Sequence, residues 1–338
     1  MSVAQPVTRY EIAAWGLTGA ALVLVLSLHL LSALLGGLLV YQLVHLLARR
    51  LPLGQLSTTA ARMVALSMLA AIIVAALTAA ALGTIAFLRS DAGGLTLLMT
   101  KLAEILEGSR ALLPPWMASQ LSMDVEGLRD GAIAWLRGHA AGLRSMGREI
   151  GRNLVHLLVG MIVGAMISLH DAMPDQPLRP FARALLERMR RLVNAFRRVV
   201  FAQVRIAVIN AILTGIYVAL ALPLLGIHLP YAKTLILVTF LFGLIPVVGN
   251  VVSNTVIVLV SLSQSLPTAI ASLVFLIVIH KLEYFLNARI VGTQINARPW
   301  ELLVAMLVME AAFGAGGLIA APIYYAYLKD ELSDRGLI

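Results

Sequence analysis

A chain of 338 residues that is 60% hydrophobic and 13% charged, with a mean hydropathy of +0.91, departs from soluble domains, in which about a quarter of residues are charged. Lipid is its expected solvent. The formal charge of +9 is scattered between apolar runs without a basic lobe of interleaved aromatics, which argues against nucleic acid as a partner and for orientation against a lipid bilayer. The absence of cysteine excludes disulfide frameworks, thiolate nucleophiles and cysteine-based metal centres.

Crossing a hydrocarbon core of about 30 Å takes roughly 20 apolar residues in a helix. No polar block is large enough to form a second core, so residues 1–338 are expected to form a single membrane domain. From Met1 to Trp15 there is no short apolar core with a small-residue cleavage site, and the first span is expected to be retained. Residues 12–47 carry no formal charge and are long enough for two spans, with a turn expected between Leu30 and Gly37. A third span covers residues 63–88, and residues 89–152 form an external segment with helical patterning, from Val125 through Trp135 and Leu143 to Ile150. A fourth span follows at 153–170, with the close-packing pair Gly160 and Gly164.

Residues 171–200 read as a basic interfacial helix: Phe181, Leu185, Met189, Leu192, Phe196 and Val200 make an apolar stripe, and arginines fill the other face. Together with Arg49, Arg50 and Arg62, those arginines place both basic turns in the cytoplasm, which puts the N-terminus and the C-terminus inside. Their plain role is to anchor topology. Residues 201–328 are the expected transport core and 329–338 a cytoplasmic tail. The fold class is therefore all-α: a polytopic bundle of about eight hydrophobic segments with interfacial amphipathic helices. Two segments are interrupted, one at Pro246 and Gly249 and one at Gly314, Gly316 and Gly317.

Paired interruptions of this kind build midplane binding sites in secondary transporters, because unwound backbone in a bilayer must be covered by protein or water. Asn250, Ser253 and Asn254 add neutral polar groups beside the first break. Glu310 stands between uncharged runs just before the second, where an ionisable group is costly and functional by default. It reads either as a proton or cation carrier or as a structural, hydrogen-bonded carboxyl. Glu283 and Asn287, four apart, share a helix face and line a hydrated path or end a helix at the interface. Gln203, Arg205 and Asn210 cluster at the start of the fifth span. No zinc-protease pair, nucleophile elbow or nucleotide-binding lysine loop occurs, and no spacing joins His29, His45 and His156. No catalytic residue, metal or cofactor is expected.

From Gln203 to Leu332 the chain resembles the autoinducer-2 exporter family of bacterial membrane proteins. The resemblance is carried by Leu244-Ile245-Pro246-Val247-Val248-Gly249-Asn250, by Glu283-Tyr284-Phe285-Leu286-Asn287 with Ile290-Val291-Gly292, and by Phe313-Gly314-Ala315-Gly316-Gly317-Leu318-Ile319-Ala320-Ala321-Pro322 with Lys329. It implies about eight hydrophobic segments, export of small solutes without ATP, and a homo-oligomer that could use the glycine pair as an interface. Some members are linked to autoinducer-2 and others to sodium–proton exchange. Asn250, Ser253-Asn254, Glu310 and His280 depart from the usual pattern and point to a more polar path.

The expectation is a secondary transporter of the bacterial inner membrane that exports a small solute, autoinducer-2-like, against a proton or sodium gradient. Glu310 and Glu283 are the exchanging acids; Gln203, Pro246, Gly249, Asn250, Asn254, Asn287, Gly314, Gly316 and Gly317 belong to the path. The alternatives are a sodium–proton antiporter without organic substrate and an oligomeric scaffold or passive pore.

Overall fold

The computed structural model describes residues 8–50, 58–89, 134, 138–170, 178–244, 248–262, 264–295 and 297–337. No strand occurs among them. The helices are α1 Arg9–Ser27, α2 Leu31–Arg50, α3 Thr58–Arg89, α4 Ala140–His170, α5 Pro180–Ile216, α6 Ala232–Gly243, α7 Val248–Leu262, α8 Leu266–Ile295 and α9 Pro299–Asp334. A π-helical turn, Tyr217–Ala221, and a last turn, Leu222–Leu224, extend α5. Among the described residues, five stretches are long and apolar enough to cross a membrane: Arg9–Ser27, Leu31–Ala48, Gly147–His170, Pro180–Leu224 and Trp300–Asp334. Large apolar side chains such as Val155, Ile162 and Met166 of α4 face outward, as lipid-solvated helices require.

The chain divides into two compact units. The first comprises Met1–Leu77, Met146–Phe201 and Val291–Ile338; the second comprises Thr78–Ser145 and Ala202–Ile290.

In the first unit, α1 starts at a capping box in which the Glu11 amide donates to Thr8 Oγ1 at 3.3 Å and the Thr8 amide donates to the Glu11 carboxylate at 2.9 Å. The turn to α2 falls at residues 28–30, with His29 at φ 57°. It does not extend to Gly37, because Gly36 and Gly37 lie inside α2 and serve packing instead. A Cβ on Gly160 of α4 would stand 2.0 Å from the Ala33 carbonyl oxygen, and one on Gly164 would stand 2.2 Å from that of Gly37. The glycine pair is thus consumed between α2 and α4 of one chain rather than offered to a subunit interface. Val40 and Val44 of α2 meet Ala65 and Leu69 of α3 beside that contact. Residues 90–133 lie outside the described part, and α4 runs unbroken through the expected boundary at residue 153.

The break in α9 is sharper than a kink. Gly314, at φ 62° and ψ −146°, adopts a backbone open only to glycine. Tyr325 Oη and Lys329 Nζ both donate to Glu301 Oε2, at 2.6 and 2.7 Å. A straight helix would hold Glu301 and Lys329, 28 residues apart, about 42 Å from each other. The eighth hydrophobic segment is therefore a helical hairpin of two arms. Its first arm, residues 299–313, is about 22 Å long and shorter than a single crossing. The arms touch backbone to backbone at Gly317, where an added Cβ would stand 1.9 Å from the Met309 carbonyl oxygen.

The base of this hairpin is fixed by charge. Arg188 of α5 is fully buried, its Nε 3.2 Å from Glu331 Oε1, and its guanidinium lies 5.3 Å from the centre of the Trp15 ring. Arg335 stands over the same ring at 5.1 Å and pairs with Glu11. Trp15 Nε1 donates to Glu331 Oε2 at 3.1 Å, Arg191 reaches the same oxygen at 2.6 Å, and Arg198 pairs with Asp330. Residues 329–334, within the expected cytoplasmic tail, are helical and tied into the unit. The apolar layer of Leu22, Leu192, Phe196, Ile323 and Tyr327 lies next to this cluster.

In the second unit, α6 and α7 also form a hairpin. A Cβ on Gly249 would stand 1.7 Å from the Phe242 carbonyl oxygen, so the arms meet where the sequence carries glycine. Tyr217 stacks on Phe275 at 3.9 Å and shares hydrogen bonds with Ser272, which in turn meets Ser261 at 2.7 Å. Leu222, Leu235, Ile257 and Leu276 complete this core.

Two substitutions test the packing. Gly164→Leu is expected to lower the unfolding free energy in detergent by about 1–3 kcal/mol or more, whereas Gly147→Leu on the same helix, with open space around it, leaves it unchanged. Arg188→Met, which removes one of the two arginines on Glu331 and leaves that buried carboxylate to Arg191 and Trp15, is expected to cost about 1–3 kcal/mol in the same unfolding measurement.

Candidate functional site

The second unit encloses a polar cavity. α5 supplies Asn210 and Thr214, one helical turn apart on one face; α6 supplies Thr239; α7 supplies Asn250, Ser253 and Asn254; and α8 supplies His280 with Leu276 and Ile279. The space holds about one water molecule. Among the described residues that line it there is no carboxylate, lysine or arginine, and these residues present neutral donors and acceptors with one imidazole.

Its polar groups are deeply placed. Asn210 is 5% exposed, Thr214 3%, Thr239 4% and Ser253 1%. Thr239 Oγ1 is satisfied by donating to the Leu235 carbonyl at 2.9 Å, and Ser253 Oγ donates to the Asn250 carbonyl at 3.3 Å. The side chains of Asn210 and Thr214 make no hydrogen bond to the described residues. A side-chain amide carries two donors and two acceptor lone pairs. The capacity of both groups is therefore free for whatever occupies the cavity.

The surrounding helices hold this geometry in place. Gln203, on the same helix as Asn210, donates its amide to the Gly243 carbonyl at 2.7 Å and ties down the C-terminal end of α6. The Gly249 contact locks α7 against α6 one residue before Asn250. The polar triplet of α7 follows directly from that neck, and the i, i+3, i+4 spacing of Asn250, Ser253 and Asn254 sets all three on one face.

Of the residues singled out in the sequence, Asn250 and Asn254 line the cavity, Gly249 forms the hairpin neck and Gln203 braces it. Pro246 lies outside the described residues. Glu283 and Asn287 lie on the helical backbone of α8, and their side chains lie outside the described part. Gly314 and Gly317 belong to the hairpin of the first unit, and Gly316 has Leu31 as its nearest neighbour at 3.9 Å. Glu310 is on the first arm of that hairpin, exposed and without a hydrogen-bond or ion-pair partner among the described residues. The structural carboxyl, bonded beside the glycine break, is thus not what the hairpin contains.

Thr214 and Thr239 were not singled out in the sequence. Asn210-x-x-x-Thr214 was a readable signal, two polar residues on one face of an otherwise apolar span; Thr239 is a lone hydroxyl in an apolar run and carries no pattern.

A protein-family model described as AI-2E family transporter matches residues 10–334. The chain belongs to the AI-2E transporter family. It is also 30% identical over 144 residues to the "Putative transport protein YdbI" of Bacillus subtilis (strain 168), a match that covers 42% of this chain and 39% of that protein. No solved structure matches it. The match to the Bacillus subtilis protein spans about two-fifths of that relative's length. This AI-2E family member is a membrane protein with transmembrane helices.

Replacing the unsatisfied amide by an apolar group of similar size separates structure from function. Asn210→Leu is expected to leave thermal unfolding in detergent unchanged or raised, since an unmet buried polar group is removed, while transport in proteoliposomes falls about tenfold or more.

Proposed function

We propose that this AI-2E family transporter is a secondary exporter of a small polar solute across the bacterial inner membrane, driven by a proton or sodium gradient. The observation that carries the reading is the cavity of the second unit, where Asn210 and Thr214 hold unmet hydrogen-bonding capacity beside Asn250 and Asn254. Neutral amides and hydroxyls suit an uncharged, hydroxyl- or carbonyl-bearing solute, because a charged one would be stripped of water with no counter-charge among the described lining residues to meet it. Autoinducer-2-like solutes are the class the family resemblance implies.

Glu310 is the proposed coupling acid. It lies nine residues beyond Glu301, about 13 Å along the hairpin arm, with apolar neighbours on both sides in sequence. An unpaired carboxylate at such depth is costly unless it is hydrated or protonated in part of a cycle. Hairpins with a glycine neck supply the adaptable backbone that alternating access needs. Both termini are proposed to lie on the cytoplasmic side. The Glu11–Arg335 pair, which joins the start of α1 to the end of α9, and the arginines flanking the turn after α2 support that orientation.

The size of the cavity favours a second reading. Room for about one water molecule between neutral oxygens also suits a dehydrated monovalent cation, which would make the protein a sodium–proton antiporter without organic substrate.

Counterflow of candidate solutes in proteoliposomes, with imposed proton and sodium gradients, distinguishes the two. Solute counterflow that depends on a gradient is the expected result; sodium flux with no solute counterflow selects the antiporter, and no flux under any gradient ends both readings. Glu310→Gln is expected to lower gradient-driven flux about tenfold or more while sparing solute exchange at zero gradient. Unchanged coupling in that variant removes Glu310 from the cycle.

A further inference from the structure

Between residues 179 and 198, α5 and its N-terminal flank carry seven arginines, and the fold of the first unit sorts them onto two faces. Arg188, Arg191 and Arg198 turn inward, with side-chain exposures of 0%, 17% and 31%, and are used by Glu331, Asp334, Glu187 and Asp330. Arg179, Arg183, Arg190 and Arg197 are exposed and have no ion-pair or hydrogen-bond partner among the described residues. Arg183, Arg190 and Arg197 are spaced by seven, which sets them in one row, about 10 Å apart along the helix. The acid on this stretch, Glu187, is held by Arg191 at 2.5 Å, so its charge is spent within the protein.

A row of three guanidiniums, with Arg179 before the N-terminal end of α5, cannot rest against acyl chains, where each would cost several kcal/mol. The face is therefore at headgroup or aqueous depth. Phe181 and Met189, both exposed on the same stretch, favour the interface, where an amphipathic helix sinks apolar side chains among the acyl chains and keeps its cations at the phosphates. Topology anchoring needs only a count of charges, whereas here the charges are sorted: the inward ones are neutralised by carboxylates and the outward ones are left open in a line.

We propose that the outward face of α5, with Arg183, Arg190 and Arg197 at its centre, docks the phosphates of anionic phospholipids. Each exposed arginine at an anionic surface strengthens association by about fivefold.

The test uses the full chain, equilibrated in nanodiscs of mixed phosphatidylglycerol and phosphatidylcholine and then extracted, with retained lipid counted by native mass spectrometry. The wild type is expected to enrich phosphatidylglycerol, each Arg→Gln change to lower that enrichment about fivefold, and the triple Arg→Lys variant to keep most of it. Thermal unfolding in neutral detergent is expected to be unchanged, because these side chains are exposed and unpaired. Should the triple Arg→Gln variant fail to fold, Arg190→Gln alone supplies the readout. Equal retention of both lipids by the wild type, or an undiminished preference in the Arg→Gln variants, overturns the proposal. So does displacement of the lipid by millimolar inorganic phosphate, which marks a site for free anions, or by an acidic protein fragment in place of lipid.

Discussion

The first unit is organised around one buried cation. Arg188 is fully enclosed, and an isolated guanidinium in such surroundings is untenable without carboxylates within reach. Glu331 and Glu11 supply them, one from near the end of α9 and one from the start of α1, while Trp15 lies between Arg188 and Arg335. Because the partners are contributed by three helices far apart in sequence, the cluster closes only when α1, α5 and α9 are all in place. It therefore brings the two ends of the chain together, and the apolar layer of Leu22, Leu192 and Ile323 packs beside it. Charge pairing of this kind adds little net stability over an apolar core, but it penalises any arrangement in which one partner is missing.

Glycine does the corresponding work where backbones meet. Gly160 and Gly164 against α2, Gly249 against α6 and Gly317 against Met309 all stand where a methyl group would overlap a carbonyl oxygen. In lipid there is little hydrophobic gain from helix association, so close van der Waals packing has to supply it. Two of these four contacts lie inside hairpins, and one of the hairpins shapes the cavity. The Gly249 neck sets the register of α7, which decides that Asn250, Ser253 and Asn254 look toward Asn210 and Thr214. A contact made purely by backbone is thereby linked to the chemistry of the proposed solute site. The same small residues keep the hairpin arms free of interlocking side chains, which suits parts that move.

The distribution of arginines along α5 illustrates how one helix serves stability and surroundings together. Its inward arginines close the ion cluster, its outward ones remain available to the membrane surface, and further along the same helix the polar face carries Gln203, Asn210 and Thr214. The interfacial helix and the fifth span, which read in sequence as separate segments meeting at residue 200, are one continuous helix that carries three kinds of polar contact at successive positions.

Much of this protein was legible in its sequence because bilayer thickness imposes a length on apolar helices. The first two spans and the fourth, the two interruptions and the polar pair Asn250 and Asn254 all follow from runs of uncharged residues and the glycine and proline that break them. Family membership was readable from the motif residues for the same reason, since those residues mark the breaks. What the breaks do was not readable. A glycine run is compatible with a kink or a reversal, and only the Glu301–Lys329 contact, across 28 residues, shows that α9 folds back. The use of Gly160 and Gly164 within the chain, the burial of Arg188 and the meeting of Asn210 and Thr214 with α7 likewise depend on neighbours distant in sequence. Hydrophobic length is a property of a segment, and the sequence by itself determined it; the partner of a glycine, a buried arginine or an asparagine is a property of packing, and only the tertiary structure decided it.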